Sequence, residues 1–164
     1  SLVLTAFATV GLTPKRITIL GLEPGINRSA EFFRALNITG PIFNNYDIGG
    51  YLIYNLFPKR RVFVDNRPEA YANEYFDDIY EKVQEDEEKW QKLDSKINFN
   101  VIYFMRHDMT EHAQPFLIRR IADPQWVPVF VDKWIILFVK NNEINKAIID
   151  KYRLPDSMFK SVKN

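Results

Sequence analysis

The sequence predicts an α/β domain of three layers: a mostly parallel sheet with helices on both faces and an antiparallel C-terminal hairpin at the edge. Three observations carry this. Short apolar runs alternate with amphipathic segments along the 164 residues, the pattern of a sheet whose strands are joined by helices. The central apolar runs each end in a polar cluster: Asn44-Asn45-Tyr46-Asp47 after Pro41–Phe43, Asp65-Asn66-Arg67 after Val62–Val64, and Arg106-His107-Asp108 after Val101–Met105. Near the end, Trp126–Val131 and Trp134–Val139 flank only Asp132-Lys133, a spacing that closes as a two-residue hairpin.

Taken in order, Leu2–Val10 is apolar and reads either as a strand or as the end of a removed membrane span. Arg16–Leu20 is rich in β-branched residues and reads as a strand. Ser29 is placed to cap a short helix with Phe32, Phe33 and Leu36 on its apolar side. Gly40-Pro41 breaks that helix and admits the strand Pro41–Phe43. Gly49–Leu56 is a helix turning Ile48, Tyr51, Leu52 and Leu56 to the sheet, closed by Pro58. After the strand Val62–Val64, Pro68 suits the first turn of a helix. That helix runs to about Leu93 with Tyr71, Tyr75, Ile79 and Val83 as its buried stripe. The charge run Glu85–Lys89 reads as a solvated helix face. Strand Val101–Met105 follows, then a helix capped by Thr110, containing Phe116, Leu117 and Ile121 and ended by Asp123-Pro124. After the hairpin, Glu143–Tyr152 is a last amphipathic helix. No internal linker divides the chain, so residues 1–164 form one domain.

Composition bounds the function. Hydrophobic residues make up 46% and charged residues 26%, the balance of a globular chain. The net charge of +1 gives no global electrostatic case for a nucleic-acid partner or an anionic membrane. The absence of cysteine excludes disulfides, thiolate nucleophiles and Cys-type zinc sites. No apolar run reaches the length of a membrane span, about 18 residues. The chain begins with Ser1 rather than Met, which suggests excision from a longer protein.

In a parallel sheet, functional groups gather where the strands end. Asn44, Asn45, Asp47, Asp65, Arg67 and Tyr71 therefore form the candidate ligand-binding or structural cluster, with Gly49 and Gly50 opening the neighbouring helix. The glycines stand where a phosphate loop would sit, but neither the dinucleotide fingerprint nor a Gly-Lys-Ser/Thr loop is present. They equally permit a tight turn and close helix–strand packing. Asp65 and Arg67 suit a bidentate ion pair, with Asn44 or Asn45 meeting the remaining lone pairs. Removing either partner should strand the other. Asp47, Asp65 and Asp108 stand at successive strand ends, where oxygens hold a divalent cation or a structural network. We assign no metal and no cofactor. His107 and His112 lack the spacing of a zinc helix and read as partly exposed polar residues. Tyr71 and Tyr75 read as core rather than as a substrate platform.

The run Phe43-Asn44-Asn45-Tyr46-Asp47-Ile48-Gly49-Gly50-Tyr51-Leu52-Ile53, then Arg61-Val62-Phe63-Val64-Asp65-Asn66-Arg67 and Tyr71, resembles the C-terminal soluble tail of bacterial polytopic membrane proteins that look like lipid-linked-sugar glycosyltransferases. The resemblance spans Ile42 to Val139, with its specific part at 43–71 and the closing strand Trp134–Val139 also fitting. Asn66 stands where that pattern most often has Gly. In such proteins the transferase chemistry lies in acidic loops of the membrane part. The resemblance therefore implies an extracytoplasmic, membrane-attached accessory domain, non-catalytic in isolation. Its partners would be the membrane-spanning part of its own chain and a glycan or lipid-linked sugar. Two other readings stand beside it: a self-contained nucleotide- or sugar-phosphate-binding enzyme, and a protein-interaction module built on exposed aromatics.

Overall fold

The computed structural model describes residues 25–67, 69, 71 and 75–159; the expected segments Leu2–Val10 and Arg16–Leu20 lie outside them. The described chain is α/β, with six α-helices and a four-stranded mixed sheet. The helices are α1 (Arg28–Ala35), α2 (Gly49–Leu56), α3 (Lys82–Glu85), α4 (Glu87–Ile97), α5 (Ala113–Ala122) and α6 (Lys146–Tyr152). The strands are β1 (Ile42–Asn44), β2 (Val101–Met105), β3 (Trp126–Val131) and β4 (Ile135–Lys140), in the spatial order β1-β2-β4-β3. No helix among the described residues is long and apolar enough to cross a membrane.

The β1–β2 pair is parallel, and β4 runs antiparallel to both β2 and β3. Among the described strands the sheet is thus mixed rather than mostly parallel. The main reason is Val62–Val64, which forms no strand. Its backbone is met by a side chain instead: Asn44 Oδ1 accepts from Phe63 N–H at 2.9 Å, and Asn44 Nδ2 donates to the Val64 carbonyl at 2.8 Å. One amide thus supplies the donor and acceptor that a neighbouring strand would offer.

Strand residues alternate between two faces, and the buried side chains of β2 and β4 divide accordingly between two clusters. Val101 and Tyr103 of β2 and Ile135, Leu137 and Val139 of β4 join Phe33 of α1, Leu52 and Leu56 of α2, and Ile149 of α6. Ile102, Phe104, Ile136 and Phe138 join Trp90 of α4 and Phe116 and Leu117 of α5. The second cluster is strongly aromatic, with Phe43 within 4.9 Å of Trp90 and 5.3 Å of Phe99 between ring centroids. These rings account for much of the high aromatic content.

Several boundaries differ from expectation for identifiable reasons. Ser29 lies inside α1, not at its cap; it is buried and its Oγ accepts from Tyr103 OH at 2.7 Å. The single long helix expected up to Leu93 is instead a π-helical turn (Phe76–Glu81), α3 and α4. Asp86 adopts extended geometry at the break, and its carboxylate accepts from Glu88 N–H and Lys89 N–H, capping α4. A free N-cap carboxylate competes with continuing the helix. Ile79 of the expected buried stripe is exposed, whereas Val83 is buried. The charge run is not wholly solvated either. Glu87 pairs with Arg119 and with Arg120, whose guanidinium is buried over the rings of Trp90 and Phe116. Thr110 does not cap α5 through its side chain; its hydroxyl donates to Asp108 Oδ1 at 2.7 Å.

β3 ends at Val131 and β4 begins at Ile135, so Asp132, Lys133 and Trp134 join them rather than the two residues expected, with Asp132 N–H donating to the Ile135 carbonyl at 3.0 Å. The Asp132 carboxylate accepts from Trp134 N–H and Ile135 N–H. Lys133 is not in the left-handed region, so the turn does not require the glycine that the type I′ form favours. On the outer edge, Leu154 N–H donates to the Pro128 carbonyl at 2.9 Å.

Candidate functional site

The carboxyl ends of β1 and β2 meet in a buried polar network. Asn44, Asn45, Asp65 and Asp108 are each 4% exposed or less, so each must find partners inside the protein. Asn45 links the two strands beyond their last pair: its Oδ1 accepts from Met105 N–H at 2.9 Å and its Nδ2 donates to Asp108 Oδ2 at 3.0 Å. Asp108 Oδ1 accepts from both the N–H and the hydroxyl of Thr110. The Asp108 carboxylate is therefore occupied from both sides.

Asp65 and Arg67 form a two-pronged pair. Arg67 Nε donates to Oδ1 at 3.0 Å and Nη2 to Oδ2 at 2.7 Å, while Arg67 N–H also donates to Oδ1 at 3.1 Å. The hydrogen bond from Arg67 holds the Asp65 carboxyl below its ordinary pKa despite burial. The pair is lopsided: the Arg67 side chain is 64% exposed and that of Asp65 only 6%. Stranding is correspondingly lopsided, because a freed guanidinium returns to water and a freed carboxylate does not. Neither Asn44 nor Asn45 reaches Asp65. Tyr71 does so through the backbone, its hydroxyl accepting from Asp65 N–H at 2.9 Å.

Tyr71, Tyr75 and Tyr80 fix the neighbouring backbone with their hydroxyls. Tyr75 OH donates to the Phe63 carbonyl at 3.3 Å, and Tyr80 OH accepts from Tyr46 N–H at 2.9 Å. Tyr71 and Tyr75 stack with centroids 4.8 Å apart. Burial pushes the hydroxyls of all three upward in pKa, so they serve as neutral hydrogen-bonding groups.

The two glycines have different tasks. A Cβ on Gly49 would lie 2.4 Å from Asp65 Cα and 2.5 Å from the Val64 carbonyl oxygen; α2 packs on this segment only because that position has no side chain. Gly50 N–H donates to Asn66 Oδ1 at 2.9 Å. Asn66 thus occupies the N-terminus of α2, where a phosphate would otherwise be received. The departure from Gly at position 66 has this structural consequence.

Beside the network lies a hollow of about 310 Å³ lined by Tyr46, Asp47, Phe76, Tyr80, Glu81, Asp108, Thr110 and His112. Tyr46 and Phe76 meet edge to face at 5.4 Å, and Phe76 and Tyr80 at 6.0 Å. His112 stands edge-on to Tyr80 at 6.2 Å. Among the described residues no lysine or arginine lines this hollow. The side chains of Asp47 and Glu81 make no hydrogen bond or ion pair with the described residues. The structure therefore separates the predicted cluster in two. Asn44, Asn45, Asp65, Arg67, Gly49, Gly50 and Tyr71 make or permit contacts to backbone, while Asp47 is exposed and lines the hollow. Asp47, Asp65 and Asp108 do not converge: no group of three or more His, Asp or Glu that could hold a metal ion occurs among the described residues. Sequence reasoning did not place Phe76, Tyr80 and Glu81 beside Asp47, and it read His112 as a partly exposed polar residue. The spacing of Phe76 and Tyr80, four apart, was the available signal, but the stripe read from the sequence was Tyr71, Tyr75, Ile79 and Val83, which leaves both out.

Comparison with known proteins returned no match to any family model, to any curated protein or to any solved structure.

Proposed function

We propose that this chain is an accessory domain of a membrane glycosyltransferase-like protein, held on the extracytoplasmic side, that binds or positions a glycan rather than transferring sugar itself. We read its frame as three layers, a sheet between two helical faces, closed by a C-terminal hairpin. The membrane attachment, the localisation and the partner within its own chain rest on the resemblance at 43–71. The glycan reading rests on one observation, the hollow beside the β1–β2 ends. Its three aromatic rings adjoin Asp47 and Glu81, whose carboxylates have no hydrogen-bond or ion-pair partner among the described residues. Sugar rings offer apolar C–H faces for aromatic contact and hydroxyl donors for carboxylates. The hollow sits at the lower end of the size range of ligand pockets, about 300–1,000 Å³. The rival reading, a nucleotide- or sugar-phosphate-binding enzyme, is disfavoured because Asn66 and the Asp65 backbone already occupy the space at Gly49-Gly50.

Titration of the 164-residue chain with neutral oligosaccharides, followed by thermal shift and calorimetry, tests this. A ligand at 100 times its dissociation constant should stabilise the fold by about 2.7 kcal/mol. Phe76→Ala should remove that shift while the chain stays folded. A flat response to all sugars, or stabilisation by a nucleotide instead, would overturn the glycan reading.

A further inference from the structure

The opposite end of β1 carries a different surface. α1 and α2 both end there, and the chain continues through Lys59-Arg60-Arg61. Tyr54 and Phe57, one turn apart on α2 and its C-cap, are 85% and 66% exposed. Beside them is a hollow of about 250 Å³ with Phe33, Ile38 and Leu56 in its wall and Arg34, Lys59 and Arg60 around it. A second hollow of about 450 Å³ shares Lys59 and Arg60 and adds Arg61. Among the described residues no aspartate or glutamate lines either one.

The four cations are not neutralised within the described residues. None is in an ion pair there. Arg34 instead donates to the Asn55 carbonyl at 3.2 Å, and Arg60 donates from Nε to the Ile38 carbonyl at 2.9 Å and from Nη2 to Asn37 Oδ1 at 3.3 Å. Neutral acceptors fix these guanidinium groups and leave their charge uncompensated. Helix capping does not account for it. Each helix C-terminus carries about half a negative charge, so two of them offset about one cation and leave about three. The local excess coexists with a net charge of only +1, so it is a property of this face and not of the molecule.

An exposed tyrosine and phenylalanine beside lysine and arginine match the boundary between lipid headgroups and acyl chains. We propose that this face docks on an anionic phospholipid surface, with Tyr54 and Phe57 at headgroup depth and Arg34, Lys59, Arg60 and Arg61 against the lipid phosphates. The aliphatic and aromatic wall of the hollow favours lipid over nucleic acid, whose bases need rings flanking a groove that tracks the backbone. The inference deepens the membrane-attached part of the reading above and uses none of the glycan hollow, which lies at the other end of β1.

Sedimentation of the 164-residue chain with vesicles tests it, using phosphatidylcholine alone or mixed with phosphatidylserine. We expect binding to the mixed vesicles only, abolished near 1 M salt, where the screening length falls to about 3 Å. Lys59→Gln and Arg61→Gln should each lower the partition coefficient about fivefold, and Tyr54→Ala with Phe57→Ala should lower it further. All four positions are solvent-facing, and circular dichroism checks that each variant folds. Absence of binding, equal binding to neutral vesicles, or indifference to these substitutions would overturn the proposal. So would binding of free pyrophosphate or of an oligonucleotide that the same substitutions abolish without any vesicle binding, since the face would then be a soluble-anion or nucleic-acid site. Sugar binding at the other end is measured separately, so failure here leaves that result untouched, and the reverse holds too.

Discussion

The two ends of the β1–β2 pair are each closed by asparagines, and each adjoins a hollow of opposite charge. At the amino end, Asn100 Oδ1 accepts from Asn145 Nδ2 at 2.8 Å and Asn142 Nδ2 at 3.0 Å, while its own Nδ2 donates to the Thr39 carbonyl at 2.6 Å. At the carboxyl end, Asn44 and Asn45 do the same work for Val62–Val64 and for the loop after β2. Buried polar groups of this kind hold the chain in one arrangement because any unmet donor or acceptor there is costly. What differs is the charge beside each network. Among the described residues, carboxylates without hydrogen-bond or ion-pair partners face the hollow at one end, and cations outside any ion pair face the hollows at the other. A buried network therefore marks where the backbone is fixed. The side chains that the network does not use are the better guide to a ligand.

If both networks are structural, breaking either should unfold the protein more readily without regard to ligand. Asn44→Ala should have the largest effect. It orphans Phe63 N–H and the Val64 carbonyl, at about 1–3 kcal/mol for each unmet buried group, and chemical denaturation should show about 3 kcal/mol lost. Gly49→Ala should approach that value, because its Cβ would meet backbone and α2 would have to move; overpacking of this kind costs about 1–3 kcal/mol. Asn145→Ala at the amino end should cost about 2 kcal/mol, since it leaves Asn100 Oδ1 one donor short and the Lys140 carbonyl without its 2.8 Å partner. Equal resistance of wild type and Asn145→Ala to urea would show that the amino-end network contributes nothing.

The Asp65–Arg67 pair sharpens the comparison further. With the carboxylate buried and the guanidinium in water, Arg67→Ala should destabilise more than Asp65→Ala, which should cost about 1 kcal/mol for its lost hydrogen bonds. A double-mutant cycle should be non-additive, because the residues are in contact. The Asp65 pKa is lowered in the folded state. Its contribution is therefore fully present above the unfolded value near 3.9 and is lost as the pH falls through the lower folded value. Asp65→Asn should flatten the acid limb of a stability–pH curve below about pH 4; an unchanged limb would remove the pair from the acid transition. Smallest of all, Glu81→Gln should alter stability by less than about 0.5 kcal/mol while weakening any sugar bound in the aromatic hollow. A clear loss of stability would place Glu81 with the structural set instead.

The sequence by itself determined the elements whose signal is local. α2 lies where Gly49 and Pro58 bound it, β2 where an apolar run ends in Arg106, and α5 stops at Asp123, because periodicity and turn chemistry act over a few residues. The Asp65–Arg67 pair was legible for the same reason, being two residues apart in one segment. Only the tertiary structure decided the rest. Val62–Val64 has the composition of a strand, yet Asn44, about twenty residues earlier in the chain, takes the hydrogen bonds a strand would need. Beside the break at Asp86, Glu87 pairs with Arg119 and Arg120, far along the chain. The directions of the strand pairs depend on where β4 enters the sheet, which no local pattern encodes. The hollow of Tyr46, Phe76, Glu81 and His112 gathers residues from three separate segments. Side-chain identity states what each group can do; which groups face one another, and which are left facing solvent, is fixed by contacts between residues distant in the chain.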